Sequence, residues 1–110
     1  MAHRLVQVSF RWIKAVPDEA ELRAAIDYVC ADWCRLNLFT WYLWTERNPT
    51  EVYAGLSRIV KDEDSVVAVA IDHTVMPFGW APQFFWDWAN PKILALNNIT
   101  PVPAPKPSGL

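Results

Sequence analysis

The chain is 110 residues long and 53% hydrophobic, carries seven tryptophans, and has a formal net charge of −2 at neutral pH. That length suits one domain with a real core, and the slight acidity excludes a global basic field of the kind that drives non-specific nucleic-acid binding. Two cysteines, no apolar run of the roughly 18 residues a membrane span needs, and a start at Met1-Ala2-His3-Arg4 that runs into a strand pattern instead of a signal peptide together predict a cytoplasmic protein with no membrane association.

In residues 5–13, Val6, Val8, Phe10 and Trp12 alternate with Gln7, Ser9 and Arg11, the period of a half-buried strand that Lys14 to Pro17 ends. Asp18 with Glu21 three residues on predicts a capped helix over 19–34, with Leu22, Ala25, Ile26, Val29, Cys30 and Trp33 on one stripe. Cys30 and Cys34 would then share a face, as two thiolate ligands could. A structural zinc site needs more ligands, however, and only His3 and His73 remain. Core thiols are the better reading.

Residues 33–37 hold a turn and a short strand, and Phe39 to Thr45 is a run of β-formers that predicts an interior strand. Phe39, Trp41, Leu43 and Thr45 lie on one face and Thr40, Tyr42 and Trp44 on the other. Aromatics on both faces imply a sheet covered on both sides, or a second face that makes an oligomer contact.

Asn48-Pro49-Thr50-Glu51 starts a second helix with Val52, Leu56, Ile59 and Val60 inward, and Lys61 to Asp64 ends it in a charged turn, read as a solvated loop before a divalent-metal cluster. Ser65 to Asp72 reads as a buried strand whose Ala68 and Ala70 leave room for bulky neighbours.

Residues 73–92 hold Met76, Phe78, Trp80, Phe84, Phe85, Trp86 and Trp88, punctuated by Pro77, Gly79, Pro82 and Pro91. The stretch is too apolar for a free linker and too interrupted for one long helix, so it predicts an arm packed across the sheet of its own subunit or of a partner, with a helical turn around Gln83 to Trp88. Ile93 to Ile99 adds an edge strand or short helix, and residues 100–110 alternate proline, which predicts a flexible, polyproline-like tail.

The order strand, helix, one or two strands, helix, strand predicts a ferredoxin-like α+β sandwich, β-α-β-β-α-β, with two helices on one face of an antiparallel sheet and an aromatic C-terminal arm. The single domain spans residues 1–99, with its core at 5–72 and the arm at 73–99.

The segment from Trp33 through Thr40-Trp41 to Thr45, followed by a short helix and then Asp62-Glu63-Asp64 before Ser65-Val66-Val67-Ala68-Val69, resembles the small SinR-like proteins. These are relatives of the CRISPR adaptation endonucleases and VapD ribonucleases, and the similarity covers roughly residues 5–72. The resemblance implies a ferredoxin-like subunit that dimerises with itself through its sheets and a C-terminal extension. In the nuclease members an aspartate ends the first strand and holds a divalent metal. The matching stretch here, Phe10-Arg11-Trp12-Ile13-Lys14, has no carboxylate and two cations that would repel a metal.

Asp72-His73 is the remaining acid/base pair, against the commoner reading of a strand-ending turn. Arg11, Lys14 and Arg35 with Trp12 and Trp44 offer a basic, aromatic surface for single-stranded nucleic acid, against ordinary sheet-face residues. Gly55, Gly79 and Gly109 are too far apart for a phosphate loop.

The favoured expectation is a non-catalytic homodimeric interaction module without cofactor or bound metal. It would touch its twin or another protein through Tyr42, Trp44, Trp80, Phe84, Phe85, Trp86 and Trp88. Two alternatives stand beside it: a Mg- or Mn-dependent nuclease acting on RNA or DNA with carboxylates relocated around Asp72, and a small-molecule-binding domain walled by the aromatic arm.

Overall fold

The structure, a computed structural model, describes residues 2–75 and 79–98. Met76, Phe78, Ile99 and the proline-rich tail lie outside the described residues. The chain divides into two compact units, Met1–Asp72 and His73–Leu110.

The first unit runs β1 (Arg4–Arg11), α1 (Glu19–Val29), β2 (Asp32–Arg35), β3 (Thr40–Thr45), α2 (Pro49–Leu56), a 3-10 turn (Ser57–Ile59) and β4 (Ser65–Ala70). The strands form one antiparallel sheet in the order β2-β3-β1-β4. The alternation in β1 sends Val6, Val8 and Phe10 to the face that α1 and α2 cover, where they meet Trp41 and Leu43 of β3. Leu22, Ala25, Ile26 and Val29 of α1 and Val52 and Leu56 of α2 close that core from above. Trp41 stands in register with Val8, and Val8 with Ala68, so one row across the sheet sets its largest residue apart from its smallest.

Both helix starts are fixed by their caps. The Asp18 side chain accepts from the amides of Ala20 and Glu21, and Asn48 and Glu51 form a reciprocal capping box at 2.9 and 3.1 Å. Thr45 is the one buried polar residue among the described residues, and both roles of its hydroxyl are used. It donates to Val29 O at 2.7 Å and accepts from Arg47 N at 3.0 Å, which ties the end of β3 to the end of α1.

The two helices approach each other at Gly55, where an added Cβ would lie 2.3 Å from Val29 Cγ1. Gly55→Ala should therefore lower the unfolding free energy by about 1–3 kcal/mol, read from the urea midpoint, despite alanine's better helix propensity.

Three expectations need correction. The first helix stops at Val29, five residues short of 34: Cys30 turns extended, and Ala31 N bonds to Trp44 O at 2.9 Å. Trp33 continues the four-residue spacing of Val29, but the hairpin with β3 supplies the backbone partners of residues 32–35, and that pairing overrides the helical pattern. Cys30 and Cys34 consequently share no helical face.

The strand expected to be buried, 65–72, ends at Ala70 and forms an edge, with Val67 and Val69 exposed and Val66 and Ala68 turned to the core. Third, the interrupted arm is a 14-residue helix, α3 (Gln83–Leu96), that contains Pro91 and absorbs Ile93 to Leu96. Phe85, Ala89 and Ile93 are four apart and form its buried stripe, while Pro91 falls on the exposed side and removes one backbone donor without ending the helix. The helix closes where Asn97 N–H reaches the carbonyls of Ile93 and Leu94, followed by Asn98 at φ 57°.

Candidate functional site

The sheet face turned away from α1 and α2 is built by the second set of alternating residues: Leu5, Gln7, Ser9 and Arg11 on β1, Thr40, Tyr42 and Trp44 on β3, Val67 and Val69 on β4, and Cys34 on β2. Burial on this face differs from strand to strand, and β4 is the most exposed. Leu5 and Cys34 are buried, Tyr42 and Trp44 are half-buried, and Val67 and Val69 are 56% and 48% exposed.

Its polar groups are organised. Gln7 Nε2 donates to the Tyr42 hydroxyl at 2.9 Å, and the His3 ring stacks on Trp44 at 5.1 Å with its Nδ1 3.9 Å from Glu46.

The two edges of the sheet differ in kind. β2 is four residues long and carries Asp32 and Arg35. β4 is six residues, Ser-Val-Val-Ala-Val-Ala, with no charge, no proline and no bulge in its pairing with β1. Natural edges are protected by charge, proline, bulges or shortness. β2 has two of those protections and β4 has none.

The remaining candidates from the sequence scatter. Arg11 is exposed at the end of β1 on the face turned away from α1 and α2, Lys14 lies in the following loop, and Arg35 points to the helix face. There Arg35 stacks on Trp41 at 4.5 Å and pairs with Glu19, which also pairs with Arg23 at 3.1 Å. Hydrogen bonds from Arg23 and Arg35 hold the Glu19 carboxyl below its usual range. Trp12 stacks on Phe10 beside the core, and Trp44 lies on the opposite face. The structure therefore does not gather Arg11, Lys14 and Arg35 into one patch.

Asp72 is exposed at the end of the first unit, and the His73 carbonyl accepts from Asn97 Nδ2 at 2.8 Å within the second. Among the described residues no three His, Cys, Asp or Glu side chains come together in a group that could hold a metal. Asp64, in the charged turn, uses its two carboxylate oxygens on Ile13 N at 2.8 Å and Lys61 N at 3.1 Å, and so latches the start of β4 to the end of β1.

On α3, Trp80 precedes the helix fully exposed, Phe84 is exposed, and Trp86 and Trp88 are half-buried. Phe85 belongs to the buried stripe and meets Trp86 edge-on at 4.9 Å.

The Cys30 thiol donates to Ile26 O at 3.2 Å, and burial pushes its pKa from 9.0 up to about 12, helped by Asp27 and Asp32. Folding thus favours the protonated thiol: its contribution to stability is fully present below pH 9 and is lost as pH rises toward 12. Ellman's reagent at pH 8 should label Cys30 in the native protein far more slowly than in the denatured chain.

Comparison with protein-family models, with curated proteins and with solved structures finds no match. Among the described residues no helix is long and apolar enough to cross a membrane.

Proposed function

We propose that this chain is a non-catalytic interaction module of the ferredoxin-like type that pairs with a second copy of itself along β4. The β4 edge, whose own six residues carry no charge, proline or bulge, with Val67 and Val69 exposed beside it, carries this reading. An antiparallel strand can pair with its own twofold mate, which satisfies the edge amides and carbonyls and covers the valines in one step.

The element order, the strand order β2-β3-β1-β4 and the placement of α1 and α2 on one face support the ferredoxin-like assignment. The resemblance to SinR-like proteins points the same way, and the absence of any carboxylate from Phe10 to Lys14 speaks for an interaction role over metal-dependent phosphoryl chemistry.

The test pairs two measurements on the full chain. Labelled RNA and DNA are incubated with the protein in Mg²⁺ or Mn²⁺, beside an Asp72→Ala control, and the mass in solution is determined. A dimer without cleavage is the expected result. Cleavage abolished by Asp72→Ala would replace this reading with the nuclease one.

A further inference from the structure

Two arginines converge on one exposed tyrosine. Tyr28 projects from α1 and is 61% exposed, and an added Cβ at Gly55 of α2 would lie 3.5 Å from its Cδ1. The ring therefore lies beside the last turn of α2. Arg47 precedes that helix and Arg58 follows it, yet both guanidinium carbons come over the same ring, at 5.3 and 5.5 Å from its centroid.

Neither guanidinium has an ion-pair partner among the described residues. The carboxylates nearest in sequence and in the adjoining pocket have other partners: Glu51 accepts from Asn48 N at 3.1 Å, and Glu46 faces His3 at 3.9 Å. Arg23 and Arg35, by contrast, are both paired with Glu19.

A guanidinium held over an aromatic ring by cation–π attraction has no acceptor on that ring for its N–H donors, which leaves them for contact with an oxyanion. Two such groups, fixed by a ring instead of a carboxylate, favour a ligand with at least two negative charges. A shallow pocket of about 510 Å³, lined by Tyr28 and Arg47 with His3, Cys30, Glu46 and Glu51, opens on the Arg47 side of the ring.

We propose that Tyr28, Arg47 and Arg58 form a binding site for a phosphate-bearing small anion with the charge of a phosphomonoester or pyrophosphate. The two forks hold the phosphoryl oxygens, and Tyr28 sets the spacing between the forks. The site uses the helix layer and is independent of the β4 edge.

Calorimetric titration of the full chain tests this, with pyrophosphate and inorganic phosphate as probes and succinate as the dicarboxylate control. Pyrophosphate should bind saturably, more tightly than phosphate and much more tightly than succinate. Arg47→Ala and Arg58→Ala should each weaken it roughly tenfold, the loss of one charge-assisted contact. The paired Arg47→Lys, Arg58→Lys variant keeps the charge but loses the planar fork, and should also weaken binding several-fold. Should an alanine variant fail to melt like the wild type, the lysine pair decides.

No saturable binding of pyrophosphate at millimolar concentration would overturn the proposal. So would unchanged affinity in folded variants, or equal binding of succinate.

Discussion

Replacing Trp41 by alanine is expected to lower the stability of the first unit by about 3–5 kcal/mol, the upper range for a buried aromatic. Trp41 is 0% exposed and is the largest fully buried side chain among the described residues. It anchors three separate contacts: Trp33 meets it edge-on at 4.9 Å, Arg35 stacks over it at 4.5 Å, and it lies in the common core with residues of α1 and α2. Truncation would leave a cavity at the centre of the sheet and remove the surface on which the Arg35 guanidinium rests. Small domains have only about 5–15 kcal/mol in total, so the variant should sit near its unfolding midpoint without denaturant.

Trp41→Phe supplies the contrast. It keeps a ring and removes a buried indole N–H that has no acceptor among the described residues, so its cost should fall well below that of alanine. Urea unfolding followed by circular dichroism measures both. A midpoint for Trp41→Ala within experimental error of the wild type would contradict a core centred on Trp41.

The paired change Val67→Lys, Val69→Lys should have the opposite profile, with association lost and folding retained. Both positions are exposed on the outermost strand, so lysine there buries no charge within the subunit and costs only a few tenths of a kcal/mol in strand propensity. At an interface between two copies the same change places four ammonium groups around one twofold axis. The expected rise in the dissociation constant is roughly 100-fold or more. Trp44→Glu, on the same face but two strands further in and stacked on His3, tests how far the contact extends. It should weaken the dimer while leaving the monomer folded. If it unfolds the chain, Trp44 serves the fold and the contact is confined to β4.

The elements that could be read from the sequence are those whose pattern has one physical explanation. Val6, Val8 and Phe10 alternate as only a half-buried strand does, and Asn48 with Pro49 and Glu51 starts a helix by backbone chemistry alone. Where two explanations coincide, the tertiary structure decides. Trp33 fits both the apolar stripe of a helix and the inward face of a strand, and pairing between β2 and β3 selects the strand. Pro91 falls on the exposed side of α3, a placement that becomes evident only once the buried stripe of Phe85, Ala89 and Ile93 is known.

The exposure of Val67 and Val69 depends on β4 being last in the sheet, a matter of strand order that local sequence does not encode. The convergence of Arg47 and Arg58 on Tyr28 is more distant still, because it joins residues on three elements through the close approach at Gly55.

Sedimentation equilibrium of the wild-type chain beside the Val67→Lys, Val69→Lys variant, over micromolar to hundred-micromolar concentrations, tests the proposed pairing most directly. The wild type should sediment at twice the chain mass and the variant at the chain mass, with equal melting temperatures at concentrations where both are monomeric. A wild type that stays monomeric across that range, or a variant that remains as dimeric as the wild type, would contradict self-association through β4.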